Sequence, residues 1–264
     1  MSALRVTLAF RVVAAGWLFG WFCKAGYYAR ALLWDDFAAR LDVAGFSPLV
    51  QYPLLIAVAW LAPLAVVPAL VWPRPRAQQA AAALMLVASL VACIHLETFN
   101  DATFVTSFWV ALWLLWLTIV APIADEATTL RHARRLAQCI VGVIFLGGAM
   151  GKLTPEHIDG DVLLHVYFLG KDTFPYPQLR GALTPEHLAA LARAFSRIVI
   201  VAELLLAASP LLPFRISTIL GATIMTLMIA GSSLYLVSVL ACLLALLGGA
   251  ALLSAAGGTR PLRT

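Results

Sequence analysis

Two ionisable side chains lie in apolar segments of the sequence, and both could serve in acid–base chemistry. Lys152 follows the small residues 147–151, and Glu203 lies among the aliphatic residues 200–205. An ionisable group at membrane depth costs roughly 3 kcal/mol, so it is usually paired or functional. Small residues let neighbouring helices pack closely. We therefore predict a partly dehydrated Lys152, because dehydration favours the neutral amine that can act as a general base.

Each of these residues also has a structural interpretation. Lys152 would extend its ammonium to the outer head groups while its stem stays in the apolar layer. Glu203 would pair with an arginine inside the bundle, or stay protonated. The candidate partners are Arg197, Arg193 and Arg11. The first two are four residues apart and so share one helix face.

A polar cluster stands at the end of the third apolar segment. It consists of His95, Glu97, Asn100 and Asp101. A turn explains Asn100 and Asp101, whereas His95 lies within the apolar run and is a candidate for acid–base chemistry. If the third and fifth segments pack together, this cluster meets Lys152 at the outer face.

A short motif, Leu-Thr-Pro-Glu-His, occurs at 153–157 and again at 183–187. Threonine is a good helix N-cap, proline suits the first helical position, and glutamate is favoured near the positive end of a helix. The motif therefore predicts two helix starts of the same kind. The other interpretation is a pair of histidine and glutamate metal ligands.

The composition indicates the elements that must position these residues. The chain has 264 residues, of which 62% are hydrophobic and only 12% charged, whereas a soluble domain carries about 25% charged residues. A water-soluble enzyme and a disordered chain are both excluded. The net charge of +5 is explained by arginines in cytoplasmic loops and does not indicate nucleic-acid binding.

We predict an all-α fold, a polytopic transmembrane helical bundle of about eight spans. The spans are roughly 6–28, 53–72, 80–96, 103–124, 136–152, 191–212, 216–232 and 234–255. Arginines gather in alternate loops, which predicts that both termini are cytoplasmic. Residues 1–264 form one integral membrane domain, with an interfacial amphipathic segment at 31–46 and a long outer loop with short helices at 154–188.

Other sites of known chemistry have no support in the sequence. The cysteines Cys23, Cys93, Cys139 and Cys242 lie in apolar stretches without metal-type spacing, so they are expected to be buried thiols and no metal site is predicted. Phosphate-binding loops, dinucleotide fingerprints and hydrolase motifs are absent from the sequence.

The segment 145–153, Phe-Leu-Gly-Gly-Ala-Met-Gly-Lys-Leu, followed by an acidic stretch and Gly160, resembles the HTTM family. This membrane domain is shared by bacterial proteins and the vitamin K-dependent gamma-glutamyl carboxylase. Three further segments are similar in the same order: 4–20, the turn Glu-Thr-Phe-Asn-Asp at 97–101, and Val-Ala-Glu-Leu-Leu-Leu at 201–206. The DoxX and MauE group of redox-associated membrane proteins has a comparable Lys-Leu helix end and Glu-Leu helix.

The resemblance implies that Lys152 is the base that deprotonates a quinol, and that a quinone or hydroquinone is the cofactor. It places Asn100 near that site, while Asp101 stands where the carboxylase has a histidine. We add Glu97 to these two as binding residues, with Glu203 and His95 as supporting catalytic groups. The chain stops soon after the eighth predicted span, so we expect no large lumenal domain. A quinone-like or lipid pocket at the outer, periplasmic face of a bacterial inner membrane is then expected, rather than glutamate carboxylation.

The alternative is a non-catalytic accessory subunit of a larger membrane complex. Its apolar helix faces, with Trp109, Trp113 and Trp116 on one helix, would contact a membrane-protein partner or a second copy of the chain. A transporter is a weaker option, because only Pro63 and Pro68 hint at the broken helix that transporters use. In every case the expected surroundings are membrane lipids.

Overall fold

The computed structural model describes residues 3–24, 53–72, 74–95, 102–170, 175–230 and 234–253. Within these ranges the chain is helical and has no strand, so the predicted all-α class is confirmed. The interfacial segment predicted at 31–46 lies outside the described residues. The helices are α1 Ala3–Phe22, α2 Pro53–Leu61, α3 Val67–Val71, α4 Pro75–His95, α5 Ala102–Val120, α6 Glu126–Lys152, α7 Pro155–Ile158, α8 Tyr176–Ala182, α9 Pro185–Ala207, α10 Phe214–Ala230 and α11 Leu234–Leu252.

Five of the described helices are long and apolar enough to cross a membrane by length and composition. They are Ala3–Phe22, Pro75–Cys93, Ala102–Val120, Glu126–Lys152 and Pro185–Leu211. Shorter apolar helices cover Ala62–Val71, Phe214–Ile229 and Val237–Leu252. Each of the eight overlaps one predicted span, and several long apolar helices are typical of a multi-pass membrane protein. The exact number of spans stays a prediction.

The second predicted span is not one regular helix. A 3-10 segment, Ala62–Val66, separates α2 from α3. Pro63 and Pro68 each stand in the first turn of a new segment, where a proline needs no backbone partner and where it ends the preceding helix. The break expected from these prolines is therefore present.

Helix α6 begins ten residues before the span predicted at 136–152. Its start is set by Asp125, whose Oδ1 accepts a hydrogen bond from the Thr128 backbone N–H at 2.9 Å. That hydrogen bond also lowers the pKa of the exposed Asp125 carboxyl. The cap allows the charged residues 126–135 to continue the helix beyond its apolar part.

The described chain divides into two compact units. Unit 1 comprises Met1–Ile140 and Phe214–Thr264, and unit 2 comprises Val141–Pro213. The prediction of a single membrane domain over 1–264 stays a prediction.

In unit 1 the helices α1 and α11 pack closely through glycines. A Cβ at Gly20 would meet Cys242 and the Ser238 backbone, and one at Gly249 would meet Val13 and the Ala9 carbonyl oxygen. Small residues thus allow the two helices to approach, as expected for helix pairs in membranes.

Cys242 and Cys93 are buried as predicted, whereas Cys23 and Cys139 are only half-buried.

Tryptophans anchor the rest of this core. Trp17 stacks on Trp21 with ring centroids 4.9 Å apart, and its Nε1 donates to the Ser107 carbonyl oxygen at 2.8 Å. Trp113 is buried and donates to the Ala133 carbonyl oxygen at 2.9 Å. The prediction that Trp113 contributes to a contact surface is therefore wrong, because its ring is used inside the unit.

In unit 2 the loop predicted at 154–188 folds around its own small core. Phe168, Tyr176, Leu188 and Ala192 are buried together. The segment Leu163–Leu169 is a π-helix, and the Arg180 side chain donates to the Phe168 carbonyl oxygen at its end, at 2.9 Å. The loop has the short helices that were expected, and they pack on the first turns of α9.

Candidate functional site

The most unusual polar contact in unit 2 is an ion pair between Lys152 and Glu203. The Lys152 Nζ lies 2.8 Å from Oε1 and 3.0 Å from Oε2 of Glu203. The same ammonium donates to the Gly148 carbonyl oxygen at 3.2 Å. All three protons of a lysine ammonium therefore have an acceptor.

Helix geometry brings the carboxylate to this position. Ser196, Ile200 and Glu203 are buried on one face of α9, at the spacing of four and three residues that places side chains in a row. On α6, Gly148 leaves the room that the carboxylate needs, since a Cβ there would lie 3.3 Å from Glu203 Oε1. Lys152 is one turn further along α6, which lets its stem reach back to the same point.

The two partners differ in their exposure. The Glu203 side chain is 6% exposed, whereas that of Lys152 is 32% exposed. Taking a carboxylate out of water costs several kcal/mol unless it is paired and hydrogen-bonded, and Lys152 provides both. The ammonium thus stabilises a buried charge, while about a third of the Lys152 side chain stays exposed.

Exposed large hydrophobic residues occur close in sequence to both partners of the ion pair. They are Met150 on α6, Leu153 directly after it, and Val201 and Leu204 on α9. The expected crowding by glycines is only partly correct, because no described atom lies within 4 Å of a Cβ built at Gly147 or Gly151. Lys152 is half-buried because it is paired, rather than because helices enclose it on all sides.

The arginine pairings predicted for Glu203 are wrong, because its carboxylate is paired with Lys152. Arg193 Nε donates to the Asp159 carbonyl oxygen at 3.3 Å, and Arg197 Nε donates to the Ile158 carbonyl oxygen at 3.2 Å. Arg11, in unit 1, donates to the Leu70 carbonyl oxygen at 2.7 Å. These guanidiniums satisfy carbonyl groups at the ends of short helices.

The short helix α7 is fastened to α9 above the ion pair. The buried Ser196 hydroxyl donates to the His157 carbonyl oxygen. Gly160, with φ of 83°, packs directly on the Arg193 backbone. A side chain at this position would be strained by the positive φ and would collide with α9. Together with the two arginine hydrogen bonds, these contacts hold α7 against α9.

The repeated motif forms two helix starts of the same kind, as predicted. Thr154 caps α7 and Thr184 caps α9; each accepts a hydrogen bond from the backbone N–H of the histidine three residues later. Pro155 and Pro185 occupy the first helical position. Among the described residues no group of three histidine, cysteine, aspartate or glutamate side chains could hold a metal ion.

No described contact joins the remaining predicted site residues to this ion pair. His95 ends α4, and its side chain lies outside the described part of the chain. Glu97, Asn100 and Asp101 also lie outside the described residues. Their convergence with Lys152 therefore stays a prediction.

Two residues near polar groups were missed by the sequence analysis. His157 was interpreted as part of a helix start or as a metal ligand, and its backbone carbonyl accepts a hydrogen bond from the buried Ser196 hydroxyl of α9. Lys24, which lies inside the predicted span 6–28 and was not considered as a site residue, is buried with its Nζ 5.8 Å from the centroid of the Phe104 ring. The signal for Lys24 was its position next to the apolar run of α1.

The fold is typical of a helical, multi-pass membrane protein. Its unit 2 contains an ion pair between a lysine and a glutamate. No family model, no curated protein and no solved structure matches the chain. The resemblance to the HTTM family consequently stays a prediction that depends on the motifs around Lys152 and Glu203.

Proposed function

We propose that this chain is an HTTM-like protein of a bacterial cytoplasmic membrane, which binds a lipid-soluble hydroquinone and removes a proton from it. Lys152 is the base and Glu203 is its partner. The observation that carries the proposal is the ion pair itself, in which a buried carboxylate is paired with a partly exposed amine. The resemblance of the segment 145–153 to the HTTM family suggests the membrane and the cofactor.

The residues present fit such a molecule. A hydroquinone supplies a weakly acidic hydroxyl on an apolar ring system. The exposed hydrophobic residues beside Lys152 are suited to the ring, and the ammonium and carboxylate are suited to the hydroxyl. An approach from the lipid layer is favoured, because Leu153 and Leu204, which follow the two partners in sequence, are exposed aliphatic residues.

The base must first lose its own proton. In a weakly hydrated pair the proton moves from the Lys152 Nζ to the nearer Glu203 oxygen, 2.8 Å away. This leaves a neutral amine beside a neutral carboxylic acid. The amine can then accept a proton as a general base, while Glu203 keeps it oriented. By the resemblance, Asn100, Asp101 and Glu97 are the further binding residues and His95 a further acid–base group.

A binding experiment tests this proposal. Purified protein in lipid nanodiscs is titrated with menadiol under anaerobic conditions, and binding is followed by calorimetry. A hydrogen bond to a charged group is worth about 1.5–3 kcal/mol, so Lys152→Met should weaken binding about tenfold or more. Glu203→Gln should also weaken it. Glu186→Gln, on the exposed first turn of the same helix, is the matched control and should bind as the parent does.

Menadiol binding that is equal in the parent and in Lys152→Met would remove the proposed function. The same holds if the parent does not bind menadiol at all. A fluorescence melting curve for each variant shows whether weaker binding results from misfolding.

A second candidate function, a non-catalytic subunit of a membrane complex, is favoured by one observation. Gly147 and Gly151 are exposed and separated by one helical turn on α6, with open space beside both. Small residues at this spacing allow a second transmembrane helix to approach closely. A stoichiometric partner in gentle detergent extracts, lost in Gly147→Ile, would favour this function over the first.

A further inference from the structure

We propose that unit 1 binds the head group of an anionic phospholipid at a basic cluster on two neighbouring helices. The basic cluster consists of Arg131, Arg134 and Arg135 of α6 and Arg215 of α10. This inference goes beyond the proposed function and does not depend on it, because the ion pair between Lys152 and Glu203 belongs to unit 2.

A contact between two helices brings the basic cluster together. The guanidinium carbon of Arg134 lies 5.3 Å from the centroid of the Phe214 ring, and a guanidinium over an aromatic face is a favourable cation–π arrangement. Phe214 is the first residue of α10 and Arg215 is the second. The contact therefore brings the start of α10, with Arg215, beside the third turn of α6.

The arginines of α6 share one face of that helix. Arg131 is followed by Arg134 and Arg135 three and four residues later, a spacing that makes side chains neighbours on a helix. Arg131 and Arg135 are exposed and Arg134 is half-buried, while Arg215 on α10 is exposed. Two helices thus contribute guanidinium groups to one small region of unit 1, and guanidinium groups match the geometry of phosphate oxygens.

The same contact aligns the points at which the two helices become apolar. Arg135 is the last charged residue of α6 before the uncharged stretch 136–151, and Arg215 is the last charged residue of α10 before the uncharged stretch 216–230. Arginines at the end of an apolar segment lie at the level of the lipid head groups. Basic residues there attract anionic lipids.

Acidic residues near the basic cluster are few. The sequence has no aspartate or glutamate from 127 to 155 or from 204 to 264. Glu126, the first residue of α6, lies 2.9 Å from Arg5 of α1, and the eight residues from Glu126 to Arg134 correspond to a rise of about 12 Å. Neither α6 beyond its first residue nor α10 therefore supplies a carboxylate that would compete with a phosphate.

The exposed face of α10 suits an acyl chain. Ile219 is 68% exposed and Ile216 is 53% exposed. Ile219 stands four residues after Arg215, so the two side chains share one face of the helix. A head group at Arg215 thus continues into a chain that lies along Ile219. This arrangement favours a phospholipid over a free phosphate ion, which would use the charged groups only.

A matched control stands at the same end of unit 1. Gln78 of α4 donates from Nε2 to the Thr7 Oγ1 at 3.3 Å, which puts the start of α4 beside the first turns of α1. Arg5 of α1 in turn pairs with the first residue of α6. Arg76, in the first turn of α4, is exposed. It carries the same charge at the same end of unit 1 but stands outside the basic cluster.

Native mass spectrometry of the full chain in detergent tests the proposal by counting bound lipids during a titration with phosphatidylglycerol. The parent should bind this lipid about tenfold more tightly than phosphatidylcholine with the same acyl chains. Arg215→Gln should weaken phosphatidylglycerol binding about fivefold, the effect of one basic group near an anionic surface. Phe214→Leu keeps every charge and should weaken it about two- to fivefold, because Arg134 loses its ring. Arg76→Gln should bind as the parent does.

Equal affinity of the parent for the two lipids would overturn the proposal. Equal weakening in Arg76→Gln and Arg215→Gln would also overturn it, because only the total charge would then matter. Displacement of the lipid by an equal concentration of inorganic phosphate would identify a free anion as the occupant and would exclude the phospholipid. A thermal melt in phosphatidylcholine nanodiscs shows whether Phe214→Leu folds. If it does not, Arg131→Gln at an exposed position replaces it, with about fivefold weakening expected.

Discussion

At the residue scale, the main polar feature of unit 2 is the buried Glu203 carboxylate, which is paired with Lys152. Sequence alone identified both Lys152 and Glu203 as groups that an apolar segment should exclude, because that argument needs only residue type and position. It did not pair them, since the contact joins two helices that are far apart in the chain. Arg193, Arg197 and Arg11 were the expected partners, and they bind carbonyl groups of α7 and α3 instead.

The cost of breaking the pair should be asymmetric. Lys152→Met leaves the buried Glu203 without its cation and should lower the free energy of unfolding by about 2–4 kcal/mol. Glu203→Leu leaves a lysine that is partly exposed and can turn outward, so about 1–2 kcal/mol is expected. The double variant should lose less than the sum, with a coupling of about 0.5–3 kcal/mol.

Denaturant melts in a fixed detergent measure these values. The Arg5–Glu126 pair is a suitable comparison because its 2.9 Å distance is similar but its side chains are 22% and 49% exposed. Glu126→Gln should therefore cost less than about 1 kcal/mol. A strictly additive double variant would contradict the direct coupling of Lys152 and Glu203.

At the scale of elements, caps and prolines were readable from local sequence and packing contacts were not. The two Thr-Pro-Glu-His starts, and the break of the second apolar segment between α2 and α3, follow from groups within a few residues of each other. The fastening of α7 onto α9 depends on Gly160, and no local pattern predicted which backbone would lie against it.

Gly160→Ala should destabilise unit 2. The positive φ alone costs about 1–2 kcal/mol for a residue with a Cβ, and that Cβ would lie 2.5 Å from the Arg193 backbone nitrogen. Gly181→Ala is the matched control, because it lies in α8 with no described atom within 4 Å of its Cβ position. This control should gain up to about 1 kcal/mol from helix propensity.

Limited proteolysis of the segment 154–160, together with a thermal melt, reports both changes. Faster cleavage is expected for Gly160→Ala and not for Gly181→Ala. Equal resistance of the two variants would show that the contact between Gly160 and Arg193 is not needed to hold α7 in place.

At the scale of the whole molecule, charge distribution predicts orientation. Arg5 of α1 pairs with Glu126 of α6, so within unit 1 the first turns of these two helices lie at the same end. Two helix starts lie at the same end when the chain crosses the membrane an even number of times between them, as the predicted spans require. The orientation itself remains a prediction from the arginine-rich loops.

Cysteine labelling in intact cells checks this orientation. A membrane-impermeant maleimide added outside should react with Glu156→Cys and not with Asp125→Cys, which should need a broken membrane. Both positions are exposed, so lack of reaction cannot be attributed to burial. The parent chain measures the background from its native cysteines. Equal labelling of both variants from outside would overturn the predicted topology.

The sequence by itself determined the class of the molecule. Threonine caps and prolines act over a few neighbouring residues, and charge content and apolar length are properties of the composition. All of them can therefore be recognised from the sequence. The tertiary structure alone decided which charged groups meet. Lys152 reaches Glu203 because α6 and α9 lie together in unit 2. Contacts between residues distant in sequence are selected by packing, which a linear pattern does not record.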